Sequence, residues 1–549
     1  MIITELLERN AASFPNDVAL VELNPQEDIK KPVTWKDFEL VPSIRNHKRR
    51  KEISWKIFNQ KANRFANLLT NLGVKKGDRV AILLMNCLEW LPIYFGILKT
   101  GALAVPLNYR YTSEEIEYCF NFSDASVLVF GTEFISRVEP LVGMGKLPKL
   151  RNLLYVGEDC PTFADSYFFL TADCSTKYIT ADLTPDDDAA IYYSSGTTGL
   201  PKAILHTHKS LMCACLTEYH NHGQTKEDSF LCIPPLYHTG AKMHWFGSLY
   251  VGGKGVILRG VKPKWILEAV SEEQITIVWL LVPWAQDILD AIDSGEINLD
   301  DYKLDQWRLM HIGAQPVPPS LIRRWLEKFP NHLYDTNYGL SESTGPGCVN
   351  LGLGNIHKVG AIGRAGWGWQ TKIVDENFNE VPRGGVGELA VKGDGVMKCY
   401  YKDEAATKAV LREGGWLLTG DMAMEDEDGF IYLVDRKKDV IITGGENIYP
   451  VQIEDYLRSH GDIKDVAVIG APHKRLGEIV LAIVELKEGR NTTEEELMEF
   501  CAKALPRYKQ PKRIIFDKVP RNPTGKIEKP ALRKKYCGEK TLIELQLEE

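Results

Sequence analysis

Between Trp55 and about Leu72 the apolar residues Ile57, Phe58, Ala62, Phe65, Ala66, Leu68 and Leu69 recur at the spacing of one helix face. A turn at Gly73–Asp78 comes next, then a strand over Arg79–Leu84, a helix over Glu89–Thr100 capped by Gly101, and a strand over Ala102–Pro106. Alternation of strand, helix and strand predicts a mostly parallel sheet with helices packed on its faces. Further strands of this kind are expected at Ser126–Phe130, Leu153–Val156, Val256–Leu258, Ile275–Leu281 and Leu309–Ile312.

Around Gly363 the pattern shortens. Thr371–Asp375 and Gly387–Lys392 alternate apolar and polar residues between Gly, Pro and Asn turns, which predicts a small antiparallel β unit over about 363–435. After the charged run Asp435-Arg436-Lys437-Lys438-Asp439 the chain returns to α and β alternation. Tyr449–Ser459 and Thr493–Ala504 read as helices, Asp465–Ile469 and Ile479–Leu486 as strands. The expected fold is α/β: a large N-terminal domain, 1–435, of mostly parallel αβ sheets plus the β unit, and a smaller, mobile α+β domain, 436–549.

One local oddity is a near-repeat, Val33-Thr34-Trp35-Lys36-Asp37-Phe38 against Ile53-Ser54-Trp55-Lys56-Ile57-Phe58. The basic stretch Arg45–Lys51 between the copies reads as an exposed insertion.

Composition narrows the class. The 549 residues are 44% hydrophobic and 26% charged, as in ordinary globular proteins of several structural units. A net charge of -8 argues against a nucleic-acid partner. The 11 cysteines include no C-x-x-C pair, and Cys213-Ala214-Cys215 has no companions at zinc spacing, so reduced thiols are expected. No basic segment with a long apolar run behind it opens the sequence, and Ile275–Val282 is too short to span a bilayer. A cytoplasmic protein without a membrane segment is the expectation; a homodimer is left open.

The most informative stretch is Ser194-Ser195-Gly196-Thr197-Thr198-Gly199-Leu200-Pro201-Lys202, directly after the β-prone run Ala189–Tyr193. Its glycines let backbone N–H groups converge, its hydroxyls add donors, and Lys202 adds a positive charge. Such a loop suits a polyphosphate. It is not a Walker loop, because no G-x-x-x-x-G-K-[ST] occurs.

Four further stretches lie downstream in this order: Tyr338-Gly339-Leu340-Ser341-Glu342-Ser343-Thr344; Thr419-Gly420-Asp421; Asp435–Asp439 with Gly444-Gly445-Glu446-Asn447; and Asn522-Pro523-Thr524-Gly525-Lys526-Ile527. Together with the first loop they resemble the AMP-forming acyl-CoA synthetases, in the adenylate-forming superfamily that includes firefly luciferase and peptide-synthetase adenylation domains. The resemblance covers essentially the whole chain.

It implies a carboxylic acid–CoA ligase with ATP and coenzyme A as cosubstrates and Mg²⁺ as the metal. Attack of the acid on the α-phosphate of ATP would give an acyl-adenylate and pyrophosphate, and a thiol would then displace AMP. By the same resemblance, Ser194, Ser195, Gly196, Thr197, Thr198, Gly199 and Lys202 handle the phosphates, and Glu342 holds Mg²⁺. Gly313, Ala314, Gln315, Asn337 and Tyr338 surround the adenine side, Gly339 and Ser341 also bind the nucleotide, and Asp421 and Arg436 meet the ribose. Lys526 is the catalytic lysine of the first half-reaction. Lys438 matches the hinge about which the C-terminal domain turns, and Gly444 and Gly445 match the pantetheine tunnel.

Pro234-Pro235-Leu236-Tyr237-His238-Thr239-Gly240 resembles the acyl-site motif, with His238 near the reacting carboxyl. Tyr237, Lys242 and Trp245 are expected at the acyl pocket. Lys242 is read as facing solvent or as meeting a second polar group of the acid; Trp245, Trp279 and Trp284 would shorten the pocket. No aspartate stands there to pair an amino-acid ammonium. Fatty acids, then aromatic or alicyclic acids, are the expected substrates, in a reaction that pyrophosphate can reverse. The alternatives are a luciferase-like oxygenase, an enzyme loading a carrier protein, and a nucleotide-binding protein without catalysis.

Overall fold

The structure, a computed structural model, describes residues 1–25, 49–178, 180–194, 201–313, 317–336, 338–344, 349–350, 354–443, 446–473, 475–521 and 526–538, with two short strands at Thr34–Trp35 and Phe38–Glu39. Among these residues, seven strands form one sheet in the order Leu333–Asp335, Leu309–Gly313, Ile277–Leu281, Ser229–Cys232, Lys254–Leu258, Val18–Leu23 and Arg50–Ser54. All neighbours are parallel except the last pair.

A second sheet of eight strands runs Cys399–Tyr400, Lys202–Thr207, Asp188–Ser194, Leu103–Pro106, Arg79–Leu83, Val127–Gly131, Asn152–Val156 and Asp165–Ser166. It is parallel except at Lys202–Thr207, which is antiparallel to both neighbours. Asp188–Ser194 and Lys202–Thr207 pair antiparallel near one edge of this sheet, and both strands are largely buried.

One hydrophobic core joins the two sheets through helices. The predicted helix at Trp55 runs Trp55–Asn71, with the Ser54 side chain accepting from the Ile57 N–H at its start. Phe58 from that helix and Phe95 from Trp90–Thr100 pack on Trp245, with ring centroids 6.2 and 6.4 Å away. Trp245 belongs to the helix Thr239–Val251, which lies against the helix His208–His222. Both end on left-handed glycines, Gly252 and Gly223, where a side chain would be strained.

The texture change near Gly363 corresponds to an antiparallel sheet of Trp369–Val374, Val386–Gly393, Trp416–Glu425, Leu411–Arg412 and Ile431–Arg436. Beyond it, Ile463–His473 and Gly477–Leu486 form the long hairpin of a last sheet, completed by Ile441–Thr443, Glu446–Ile448 and Arg513–Phe516. Its strands are covered by the helices Pro450–Arg458, Glu494–Ala502 and Lys529–Tyr536. The α/β fold expected from the sequence is the one observed.

Half of the first copy of the near-repeat, and the basic stretch up to Lys48, lie outside the described residues. The next two arginines of that stretch are docked on the protein. Arg49 faces Glu268 and Glu272 at 3.7 and 3.4 Å, and Arg50 pairs with Glu273 at 2.5 Å. No described helix is long and apolar enough to cross a membrane.

Candidate active site

Two cavities meet where the sheets of the N-terminal part, the antiparallel β unit and the C-terminal unit come together. The first, of ≈ 580 Å³, is lined by Ser194, Lys202, His238, Gly240, His244, Trp279, Ser341, Glu342, Asp421, Arg436 and Lys526, among others. The second, of ≈ 470 Å³, is lined by Tyr338, Gly360, Ala361, Tyr432, Asp421 and Arg436, among others. Gly339, Leu340, Asp421, Arg436, Lys438 and Lys526 line both. The two spaces thus adjoin at Asp421, Arg436 and Lys526 as one cleft.

Strand register builds this junction. Asp421 and Arg436 are direct cross-strand partners on Trp416–Glu425 and Ile431–Arg436, and their side chains approach to 3.7 Å. Tyr338 donates its phenol hydroxyl to the other oxygen of Asp421. The Thr419-Gly420 turn that precedes it is pinned by Thr419 Oγ1 donating to the Leu389 carbonyl at 2.7 Å and the Gly420 N–H donating to Glu388 at 2.9 Å.

At the phosphate-side end, Tyr400 donates its hydroxyl to Glu342 Oε1 at 2.9 Å and presents its ring to Lys202 Nζ, 5.0 Å from the centroid. The backbone around Ser341 is anchored by His206 Nε2, 2.7 Å from the Ser341 carbonyl. Thr344 takes a left-handed conformation at φ 61.

Lys526 arrives from the C-terminal unit into this end. Burial, and then the positive charge of Arg436, lower its ammonium pKa to about 8, with Asp421 and Glu342 opposing the shift. Lys438 lines the same cleft and is also shifted down, chiefly by burial. Asp435, just before it, accepts from the Val451 N–H at 3.0 Å and so ties the β unit to the start of Pro450–Arg458. Burial raises its pKa to about 6.

His238 caps the helix Thr239–Val251. Its Nδ1 accepts from the Gly240 N–H at 3.2 Å, so a neutral ring carries its proton on Nε2. Burial and the positive charges of Lys526 and Lys242 lower its pKa to about 3, which keeps it neutral. Gly240 and His244 continue the wall along the helix, and Trp279 closes it. A Cβ on Gly240 would lie 2.9 Å from the Trp279 ring, so the indole sits where only glycine leaves room.

Of the four residues expected at the acyl pocket, His238 lines the cleft, and Tyr237, Lys242 and Trp245 do not. Tyr237 packs edge-on against Tyr109 at 5.2 Å, and Trp245 points into the aromatic core. Lys242 does not face solvent either: it is fully buried, with Nζ 4.3 Å from the Tyr192 ring centroid and 5.2 Å from that of Tyr94. Its Nζ has no hydrogen-bond partner among the described residues, and burial lowers its pKa to about 7. The helix is apolar on nearly every side, so its sequence holds no stripe that tells core from cleft.

The residues missed were His244 and Tyr400. His244 was within reach, since it stands four residues after Gly240, the last of the acyl-site motif, and shares its helix face. Tyr400 lies 58 residues from Glu342, and no local pattern announces it. Ser195, Gly196, Thr197, Thr198, Gly199, Ala314, Gln315, Asn337, Gly444, Gly445, Pro523, Thr524 and Gly525 lie outside the described residues. Gly313 ends the strand Leu309–Gly313.

Comparison with known proteins agrees with this layout. The family model described as AMP-binding enzyme matches residues 7–401, and that of the AMP-binding enzyme C-terminal domain matches 452–526. The long-chain-fatty-acid–CoA ligase FadD13 of Mycobacterium tuberculosis is 31% identical over 481 residues, covering 87% of this chain and 92% of its own. The anthranilate CoA ligase AuaEII in complex with anthranoyl-AMP superposes with a TM-score of 0.85 at 25% identity, over 97% of each chain. ATP-bound MatB from Rhodopseudomonas palustris gives 0.84 at 27% identity, over 98% of this chain and 100% of that one.

Proposed function

The chain belongs to the AMP-binding enzyme family, and from that premise we propose how its residues divide the work of making an acyl-CoA. It is an acid–thiol ligase that consumes ATP, as its relatives across most of the chain are. In the first half-reaction a carboxylate oxygen bonds to the α-phosphorus and the bond to the β-phosphate breaks, releasing pyrophosphate. In the second, the thiol sulfur of coenzyme A bonds to the acyl carbon, AMP leaves, and the thiol proton is lost.

The junction of the two cavities supports this division. The nucleoside fits the cavity beside Tyr338, Gly360 and Ala361, with Asp421 accepting from the ribose hydroxyls and Arg436 donating beside it. The phosphates then fall between Lys202 and Lys526, where positive charge offsets what develops on the α-phosphate and the leaving pyrophosphate. Lys526 is the catalytic residue at that point. Neutral His238 donates from Nε2 toward the acid carboxyl and orients it.

Glu342 fits a magnesium ion on one observation: the Tyr400 hydroxyl holds one of its oxygens on the cleft wall that carries Lys202 and Lys526. A hard cation with carboxylate and phosphate oxygens as ligands is the usual arrangement for nucleotide chemistry, and it neutralises phosphate charge when bound. Ser194, Ser195, Gly196, Thr197, Thr198 and Gly199 supply donors to the same phosphates, and Gly339 and Ser341 line the same cavity. Ala314, Gln315 and Asn337 take the adenine edge, and Gly444 and Gly445 the pantetheine arm. The domain boundary lies at 435/436, with Lys438 as the hinge that withdraws Lys526 before the thiol enters.

The acid is a fatty acid or an aromatic or alicyclic acid, and the packing of Trp279 on Gly240 favours the compact ones. The Trp279 indole and the His244 imidazole both line this wall, and in this reading they narrow the acyl space against a long chain. Acid-dependent exchange of labelled pyrophosphate into ATP tests it, over benzoic, cyclohexanecarboxylic, octanoic and palmitic acids without coenzyme A. Exchange fastest with the ring acids is expected. Preference for palmitate overturns the compact reading, and exchange with none of them overturns the adenylation roles.

A further inference from the structure

Behind the acyl wall, four elements bring five polar side chains into a space closed to solvent. Glu218 and His222 stand one turn apart on the helix His208–His222. His311 and Asp335 are direct cross-strand partners on the parallel strands Leu309–Gly313 and Leu333–Asp335. His244 comes from the helix Thr239–Val251, and none of the five is more than 2% exposed. One oxygen of Glu218 and one nitrogen each of His222 and His311 lie within 4.8 Å of one another. Asp335 Oδ2 is 2.5 Å from His222 Nε2 and 3.7 Å from His311 Nε2.

Hydrogen bonding accounts for part of this cluster. Glu218 accepts from His222 Nδ1 and His244 Nδ1, both at 2.8 Å. It does not account for His311, whose two ring nitrogens have no hydrogen-bond partner among the described residues. The ring is fully buried, with the His244 and His222 centroids 4.0 and 4.6 Å away. Leaving a buried donor or acceptor unsatisfied costs about 1–3 kcal/mol, so an imidazole aimed into such a cluster with both nitrogens bare points to a missing ligand.

We propose that Glu218, His222 and His311 bind a divalent transition-metal ion of the zinc class, with Asp335 beside them completing the shell. Imidazole nitrogens with carboxylate oxygens suit zinc, whereas magnesium and calcium favour oxygen alone. Helix positions i and i+4 present two ligands on one face, and the paired strands supply the others from the opposite side. This site shares no residue with the Glu342 end of the cleft. Its ion clamps the helix His208–His222 to the seven-stranded sheet and, through Glu218, fixes the His244 ring that lines the acyl wall.

The test uses the untagged full chain. Elemental analysis of the purified protein should find about one zinc ion per chain. Chelator-stripped protein titrated with Co²⁺ should develop visible d–d absorption and regain thermal stability. His311→Leu should reduce metal content and the Co²⁺ bands at least about tenfold, the scale expected for loss of a ligand. Absence of metal in the purified chain together with no Co²⁺ spectrum overturns the site and leaves a hydrogen-bonded network. Unchanged Co²⁺ bands in His311→Leu also overturn it, by placing the ion elsewhere. Should that variant not fold, the titration of the unaltered protein still decides.

Discussion

Tyr338 donates its hydroxyl to the buried carboxylate of Asp421, joining two motifs 83 residues apart. The bond fixes which Asp421 oxygen remains for a ribose. Tyr338→Phe keeps the ring and removes that hold. Loss of one hydrogen bond to a charged group should raise KM for ATP about tenfold and leave kcat nearly unchanged. A fall in kcat with KM constant would show that the hydroxyl acts on the reacting atoms instead.

The Lys526 ammonium is held down to about 8, so it loses its proton as pH rises through that value. The first half-reaction needs the charged form. Its kcat/KM should fall above about pH 8, where an ordinary lysine would still be fully charged. Lys526→Ala should lower pyrophosphate exchange about a hundredfold or more at pH 7. A flat profile up to about pH 10 would contradict the role given to this lysine.

Lys438 sits between Asp435, tied to the next helix, and the last sheet. Proline there locks φ near one value. Lys438→Pro should spare exchange of pyrophosphate and cripple thioester formation. Equal loss of both half-reactions would mean that the hinge lies elsewhere.

Trp279→Ala opens the acyl wall where the indole meets Gly240. The variant should accept longer acids than the unaltered enzyme, at a stability cost of about 3–5 kcal/mol. Gly240→Ala pushes against the indole from the other side and should depress exchange with every acid. Unaltered chain-length preference in Trp279→Ala would remove this residue from the acyl wall.

Lys242 titrates near 7 in the folded protein, below its ordinary 10.5. The unfolded chain therefore binds more protons between those values, and stability should rise with pH from about 7 toward 10. In Lys242→Met that rise should shrink, and the variant should be at least as stable at pH 7. Urea midpoints at several pH values measure both. A destabilised methionine variant at pH 7 would show that the charge finds favourable surroundings after all.

The sequence by itself determined the α/β class, the texture change near Gly363, and the class of chemistry. Strand-helix alternation is local, and the five motifs are contiguous strings whose donors and charges follow from residue type. It placed Lys526, Glu342, Asp421, Arg436 and His238 on what the structure shows to be one cleft. Tertiary structure alone decided which side of Thr239–Val251 faces that cleft. A helix buried all round offers no polar stripe to read, so Gly240 and His244 turn to the wall while Lys242 and Trp245 turn to the core. Only the fold, likewise, set the Tyr400 hydroxyl on Glu342 and gathered Glu218, His222, His244, His311 and Asp335. Those contacts join residues far apart in the chain, and strand order and helix packing, not local pattern, bring them together.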